Sequence, residues 1–303
     1  MTTQKQEILA TKRMPTKRPF EESKVNVGEY STLLAKKLRT HFNPNSSVCN
    51  ARKENYKMIS GSFYIPKDNP SKPYGEDAHF ICAEEQTIGV ADGVGGWAKR
   101  GIDAGEYARQ LMKNSAIAVI FNEPTGNIDP KRVLNQAYAS TKAEGSSTGC
   151  IIALKGKCIH AANVGDSGFM VFRKGEMIFK SRAMQRGFNR PYQLGNGKGC
   201  DRPSDAEELV VAVEPGDVIV TATDGLLDNM LQTEMEYIIK HSGEKEGPQQ
   251  LAWTLVAVAF YNSTDKNADT PFARASKHAG HNHKGGKIDD ITAVVSYVFS
   301  ELD

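Results

Sequence analysis

The sequence predicts an α+β fold organised around antiparallel β-sheet. Three observations carry that prediction. Short apolar segments of strand composition follow one another through Gly-rich or charged turns. Segments with helical spacing fall into two groups and do not alternate with single strands. The βαβ rhythm that a parallel sheet demands is absent.

Taken in order, the elements begin after a polar, basic segment. Residues 1–60 hold twelve Lys and Arg against five Asp and Glu, with little periodicity. We read 1–56 as a flexible N-terminal segment and 57–303 as one folded domain. Within the tail, "TKRMPTKRP" (Thr11 to Pro19) fits a nuclear signal, part of an organelle presequence or a solvated tail. "KMISGSFYI" has strand composition, and "AHFICAEEQTIGVAD" reads as a hairpin turning at Glu84 to Gln86. Ala104 to Phe121 has helical spacing, with Tyr107, Leu111, Ile117 and Phe121 on one face, and Pro130 to Ala143 reads as a second helix. The strands "TGCIIAL", "KCIHAANV", "GFMVFRKG" and "EMIFK" follow. Ser181 to Asp205 is irregular, rich in Gly, Asn, Arg and Pro. "ELVVAVEPGDVIVTATDG" reads as two strands joined by a Pro-Gly turn. Helices are expected around Leu231 to His241 and Pro248 to Tyr261, then a polar loop from Asn262 to Lys287 and a last strand, "ITAVVSYVF". No repeat of fixed period is present.

Composition narrows the classes. The chain has 303 residues, 39% hydrophobic and 24% charged, with net charge +2, which suits a globular protein and gives no reason to expect nucleic acid as a partner. The five cysteines, Cys49, Cys82, Cys150, Cys158 and Cys200, are odd in number and form no C-x-x-C pair, so we expect reduced thiols in an intracellular compartment. No apolar run approaches the roughly 20 residues that span a bilayer. The longest, Leu251 to Tyr261, reads as a buried helix, and the N-terminus lacks the apolar segment of a secretory signal. A monomer is expected.

The chemistry lies in a repeated pattern. "TIGVADG" and "VIVTATDG" are apolar strands that each deliver Asp-Gly at their ends, at Asp92-Gly93 and Asp224-Gly225. "DDITAVVSYVF" inverts the order and opens a strand with Asp289-Asp290. In an antiparallel sheet one strand's end lies beside another's beginning, so Asp92, Asp224 and Asp289 are expected at one edge of the sheet. Glu76-Asp77, in "YGEDAHF", adds a further acidic cluster at a strand start. Carboxylates so crowded are unfavourable without counter-charge. An all-oxygen donor set favours Mg or Mn over Zn. Glycine after each aspartate lets backbone approach a cation closely. Asp-Gly alone is a common turn dipeptide, and only the joint pattern carries the reading.

The joint pattern resembles the metal-dependent protein phosphatases, the protein phosphatase 2C family. "GEDA" (75–78), "ADGVGGW" (91–97), "SSTGC" (146–150), "ANVGDSG" (162–168), "TATDGLLD" (221–228) and "DDITAVV" (289–295) carry it, in the family's order, over about residues 57 to 299. "DGVGGW", "RPYQLG" (190–195) and "TPFA" (270–273) look most like the branch with mitochondrial and plastid members, so those compartments join cytoplasm and nucleus as expectations. The resemblance implies a four-layer sandwich, two stacked antiparallel sheets flanked by helices. It also implies hydrolysis of phosphoserine and phosphothreonine on proteins, by attack of a water held between two Mn2+ or Mg2+ ions. By the same resemblance, Asp92 bridges both ions, the Gly93 carbonyl binds one of them, and Asp224 and Asp289 bind the other. Glu76 and Asp77 match positions that hold an ion or its waters, and Asp166 one that helps hold a weaker third ion. No protein nucleophile is required, and no C-x5-R phosphate loop is present.

The sequence departs from the family pattern in three places. Many members carry a histidine after the Asp-Gly pair, proposed as a general acid, where this chain has Val94. Many carry a phosphate-binding arginine four residues before the Glu-Asp pair, where this chain has Lys72, a point charge with no bidentate fork. "GDSR" reads "GDSG", with Gly168. Arg182, Arg186, Arg190 and Arg202 lie where the family has a variable flap, and Arg186 and Arg190 join Lys72 as expected substrate-binding residues. "HAGHNH" (His278, His281, His283) has spacing compatible with zinc but reads as solvated loop. Trp97 is expected in the core. Two other readings stand beside the main one: a catalytically weak phosphatase-like protein that binds phosphoproteins, and another two-metal hydrolase acting on small phosphoesters.

Overall fold

The computed structural model describes residues 55–123, 126–242 and 246–301. Cys49, the Thr11 to Pro19 motif and all but the last two residues of the basic segment lie outside the described residues. The strands are β1 (Tyr56–Ile65), β2 (Asp77–Cys82), β3 (Thr87–Asp92), β4 (Ser146–Ser147), β5 (Gly149–Lys155), β6 (Cys158–Val164), β7 (Gly168–Arg173), β8 (Glu176–Lys180), β9 (Leu194–Gly195), β10 (Glu207–Ala212), β11 (Val218–Ala222) and β12 (Ile291–Ser300). The helices are α1 (Ala104–Phe121), α2 (Pro130–Ser140), the single turn α3 (Asp224–Leu227), α4 (Gln232–Ser242), α5 (Pro248–Thr264) and α6 (Pro271–His278).

Two five-stranded antiparallel sheets form, a first in the order β1-β12-β11-β7-β8 and a second in the order β10-β6-β5-β3-β2. Period-2 alternation sorts their side chains. In β5, Cys150, Ile152 and Leu154 join a core between the sheets with Val90, Phe169, Val171, Ile219 and Val294. Ile151 and Ala153 face the other way, toward Tyr107, Leu111 and Leu134 of α1 and α2. On the far side Val220, Ala293 and Val295 pack against Met235, Leu251 and Leu255 of α4 and α5. The result is four layers, helices–sheet–sheet–helices. Burying both sheets on both faces accounts for strands that read as continuous apolar runs.

Local chemistry sets the helix starts. The Asp129 carboxylate accepts from Lys131 N and Arg132 N with Pro130 in the first turn, and the Asp103 carboxylate accepts from Gly105 N. The buried face of α1 runs through Tyr107, Ala108, Leu111, Met112, Ser115, Ala118 and Val119, so Ile117 and Phe121 lie at its margin.

The structure corrects four expectations. The two strands flanking Pro215-Gly216 do not pair: β10 bonds β6 in the second sheet, and β11 lies between β12 and β7 in the first. The polar loop from Asn262 to Lys287 contains α6, started by Thr270 Oγ1 accepting from Ala273 N and by Pro271. Trp97 is not in the core. It sits on the 3-10 turn Gly95–Arg100, which buries no residue, donates from Nε1 to Ser146 Oγ at 2.6 Å and carries Arg100 over its ring at 5.1 Å. Asp92 ends a strand of the second sheet while Asp224 and Asp289 flank strands of the first, so they meet across the seam between sheets and not along one sheet's edge.

Candidate metal centre

β3 is apolar and buried until its last residue, Asp92, which stands opposite Asp77 in the β2–β3 register. β11 ends at Ala222, paired with Ala293, so Asp224 and the Asp289-Asp290 pair preceding β12 emerge at one end of the first sheet. Two glycines let these segments close up. A Cβ on Gly93 would lie 2.8 Å from the Glu76 carbonyl and 2.7 Å from the Ala104 backbone, and one on Gly225 would lie 1.9 Å from the Asp290 carbonyl. The Asp-Gly pairs are thus demanded by backbone crossing backbone.

Two residues of the first sheet, Thr223 and Thr292, each donate from Oγ1 to Asp77 Oδ2 at 2.7 Å. Asp290 is a bracing carboxylate: it accepts from Lys67 N at 3.0 Å, Tyr64 OH at 3.1 Å and Glu76 N at 3.2 Å. Asp166, on the loop between β6 and β7, accepts from Gln185 Nε2 at 2.7 Å. Asp228 lies one helical turn after Asp224.

Three lysines answer this charge. Lys67 Nζ lies 3.1 Å from Glu76, 3.2 Å from Asp289 and 3.2 Å from Asp290. Lys287 Nζ bonds Asp224 and lies 2.9 Å from Asp228 and 3.1 Å from Asp289. Lys72 Nζ lies 2.6 Å from the other oxygen of Glu76. Burial alone would pull Lys287 down, but the charges of Asp224, Asp228 and Asp289 outweigh it and hold the amine protonated.

The carboxylates show the strain of their crowding. Burial, then the charges of Asp224, Asp77 and Asp289, push Asp92 well above the usual carboxylate range, and it shares a hydrogen bond with Asp224. Burial raises Asp224 too, but Lys287 outweighs that and holds it low. Burial and the charge of Asp290 raise Asp77. Burial, with the Asp224 charge, pushes Asp166 up to about 7.

Divalent cations fit this donor set. Glu76, Asp77, Asp92, Asp166, Asp224, Asp228, Asp289 and Asp290 face Lys67, Lys72, Lys287 and, beside Asp228, Lys180, a formal excess of four negative charges. Buried oxygens of Asp77, Asp166 and Asp224 have no hydrogen-bond partner. All are hard oxygen donors. Among the described residues no three such side chains ring a single ion, and the ammonium groups of Lys67 and Lys287 lie between the carboxylates.

The structure therefore gathers Glu76, Asp77, Asp92, Gly93, Asp224 and Asp289, with Asp166 at the flank and Lys72 at the mouth. It does not bring Arg186 or Arg190 there. Arg186 pairs with Asp201 and lies over the Tyr192 ring at 4.1 Å, bracing the flap, and Arg190 is exposed. A cavity of about 190 Å³ adjoins the carboxylates, and the flap residues that line it are Ser181, Ala183, Gln185, Phe188 and Asn189. The three histidines do not converge: His281 stacks on Phe188, His283 meets Phe272 edge-on, and His278 bonds the Arg274 carbonyl. Sequence reasoning missed Lys67, Lys287 and Asp228. The last was visible as a carboxylate four residues after Asp224.

No protein-family model matches the chain. Individual relatives do. Probable protein phosphatase 2C 55 of Arabidopsis thaliana is 53% identical over 243 residues, covering 80% of this chain and 52% of that one. The X-ray structure of the photosystem II phosphatase PBCP superposes with a TM-score of 0.73 at 30% identity, covering 79% of this chain and 98% of that one. The catalytic domain of the serine/threonine protein phosphatase PstP, solved with two manganese ions, shares the fold: TM-score 0.55, 18% identity, 80% and 99% covered. The two-sheet sandwich with acidic residues at its seam is thus the fold of known phosphatases. The chain belongs to the protein phosphatase 2C family. It spans about half the length of that Arabidopsis relative. Among the described residues no helix is long and apolar enough to cross a membrane.

Proposed function

We propose that this chain is a metal-dependent serine/threonine protein phosphatase acting on phosphorylated proteins. The observation that carries the reading is the meeting of Asp77 and Asp92 from one sheet with Asp224 and Asp289 from the other, in a family whose members are phosphatases. Asp92 would hold two Mn2+ or Mg2+ ions, the Gly93 carbonyl one of them, and Asp224 and Asp289 the other. Glu76 and Asp77 would hold an ion or its waters, and Asp166 a weaker third ion. Bound cations of this kind make water nucleophilic near neutral pH and neutralise phosphoryl oxygens. The chain's own part is to hold that charge in place, to draw the phosphate with Lys72 and to frame the substrate with the flap that bears Arg186 and Arg190. Residues 57–303 are the catalytic unit in this reading. The likeness to a photosystem II phosphatase supports plastid placement. Every carboxylate of the set is present, so nothing favours a protein that only binds phosphoproteins.

The deciding experiment measures phosphate release from phosphoserine and phosphothreonine peptides, with small phosphoesters alongside, in excess EDTA and after Mn is restored. Release of phosphate from the peptides that depends on Mn upholds the reading. Full activity in EDTA, or hydrolysis of small esters alone, overturns it.

A further inference from the structure

Glu76 is gripped from both sides. Lys72 holds Oε1 at 2.6 Å and Lys67 holds Oε2 at 3.1 Å. Lys72 is four residues upstream, whereas Lys67 comes from the end of β1, its backbone pinned by the Asp290 carboxylate at 3.0 Å. Two ammonium groups on the two oxygens of one carboxylate present a forked positive edge, the arrangement that one guanidinium would otherwise supply. Lys67 is more open than the other two lysines paired to these carboxylates, with its side chain 25% exposed against 11% for Lys72 and 14% for Lys287.

The charge count says why a second lysine matters. Eight carboxylates against the four ammonium groups of Lys67, Lys72, Lys180 and Lys287 leave four negative charges, which two divalent cations would only balance. A phosphate monoester is close to dianionic at neutral pH. A site that is at best neutral still needs positive groups aimed at the incoming phosphoryl oxygens, not held on the walls. Lys67 spends its amine on Glu76, Asp289 and Asp290. Asp289 is proposed to bind an ion directly, whereas Glu76 is proposed to hold an ion or its waters, so loading would draw Asp289 away from Lys67 first. Glu76 and Asp290 keep Lys67 at the mouth with an N–H to give.

We propose that Lys67 binds the phosphoryl group of the substrate together with Lys72, the two lysines sharing the phosphate grip across Glu76. This rests on the phosphatase reading. The probe is inorganic phosphate, titrated against the Mg-loaded full chain by 31P NMR. Lys67→Met keeps the side chain's length and removes its charge. It should raise the phosphate Kd about tenfold, the size of one charge-assisted contact. Lys67→Arg should stay within about threefold of the parent. On phosphothreonine peptide, Lys67→Met should raise KM while kcat holds, and its Mn affinity by calorimetry should match or exceed the parent's. An unchanged phosphate Kd overturns the proposal. So does an about tenfold loss of Mn affinity, which would make Lys67 a brace for the carboxylates alone. If the parent hydrolyses no phosphopeptide yet its phosphate Kd still depends on Lys67, the phosphatase reading falls and the grip stands.

Discussion

Asp77 and Asp92 face each other directly across the first rung of the β2–β3 ladder. Like charges in that position oppose strand pairing. The protein offsets this by two threonine hydroxyls on Asp77 and by raising both carboxyls, so that proton uptake relieves the pair. A divalent cation would relieve it better.

Mn or Mg is therefore expected to stabilise as well as activate. At a hundredfold excess over Kd, one tight ion adds about 2.7 kcal/mol, which is a rise of roughly 5–10 °C in Tm for a domain of this size. Calorimetry in EDTA and in Mn checks it, with chelator abolishing phosphopeptide hydrolysis in parallel. A melting curve indifferent to Mn would contradict the site.

Asp92→Asn keeps volume and removes the charge proposed to bridge both ions. Turnover should fall at least about 10³-fold, near 4 kcal/mol of transition-state stabilisation. The fold should persist, because the Asp92 backbone stays tied to Thr148 through N to Oγ1 and O to N, each at 2.9 Å. Circular dichroism and kcat/KM on one preparation decide it; a folded variant within tenfold of the parent rate places the bridge elsewhere.

Val94 bonds the Ser146 carbonyl through its backbone and lines a groove with Trp97, Arg100 and Gln193. It offers no proton to a leaving group. A seryl alkoxide needs one and an aryl oxide barely does, so the preference for aryl phosphates over phosphoserine peptides should exceed that of a relative with histidine at this position. Val94→His should narrow that gap by about tenfold or more, chiefly on the seryl side. Rates on both substrates at saturating Mn measure it, and an unchanged ratio sinks the idea.

Burial pushes the thiols of Cys82 and Cys150 up to about 12 from an ordinary 9.0. They stay protonated across pH 7–10, so a thiol reagent at pH 8 should label half-exposed Cys158 and Cys200 and spare these two until unfolding. A raised thiol pKa also means that stability is lost as pH climbs past 9, where only the unfolded chain ionises. Mass spectrometry of labelled peptides reads the first effect and urea midpoints at pH 8 and 10 the second. Serine at all five cysteine positions should leave catalysis largely intact.

The carboxylate pattern was legible because an apolar strand ending on Asp-Gly is a local statement, complete within eight residues. Which sheet each strand joins was not. β5 is buried on both faces and reads as an unbroken run, so its sequence does not say which neighbour it meets. β10 alternates in exposure as an edge strand does while β11 is almost wholly buried, but the run Leu209 to Ala212 is continuously apolar, so the sequence did not separate them across the Pro-Gly turn. Arg186 misled because composition counts a charge without showing that Asp201, fifteen residues on, already holds it. Lys67 and Lys287 escaped notice because the carboxylates that define them lie mostly far away in sequence.

The first strand of the domain pairs with its last, from Tyr56 beside Ser300 to Ile65 beside Ile291. On the ribosome this has a price in waiting. Asp77 and Asp92 emerge early, as a bare acidic rung with no partner. Asp289, nearly two hundred residues later, arrives with the strand that closes the first sheet. Cations cannot nucleate such a fold, because their seat is finished only when the architecture is, and synthesis can reach the end of β12 before any metal is loaded.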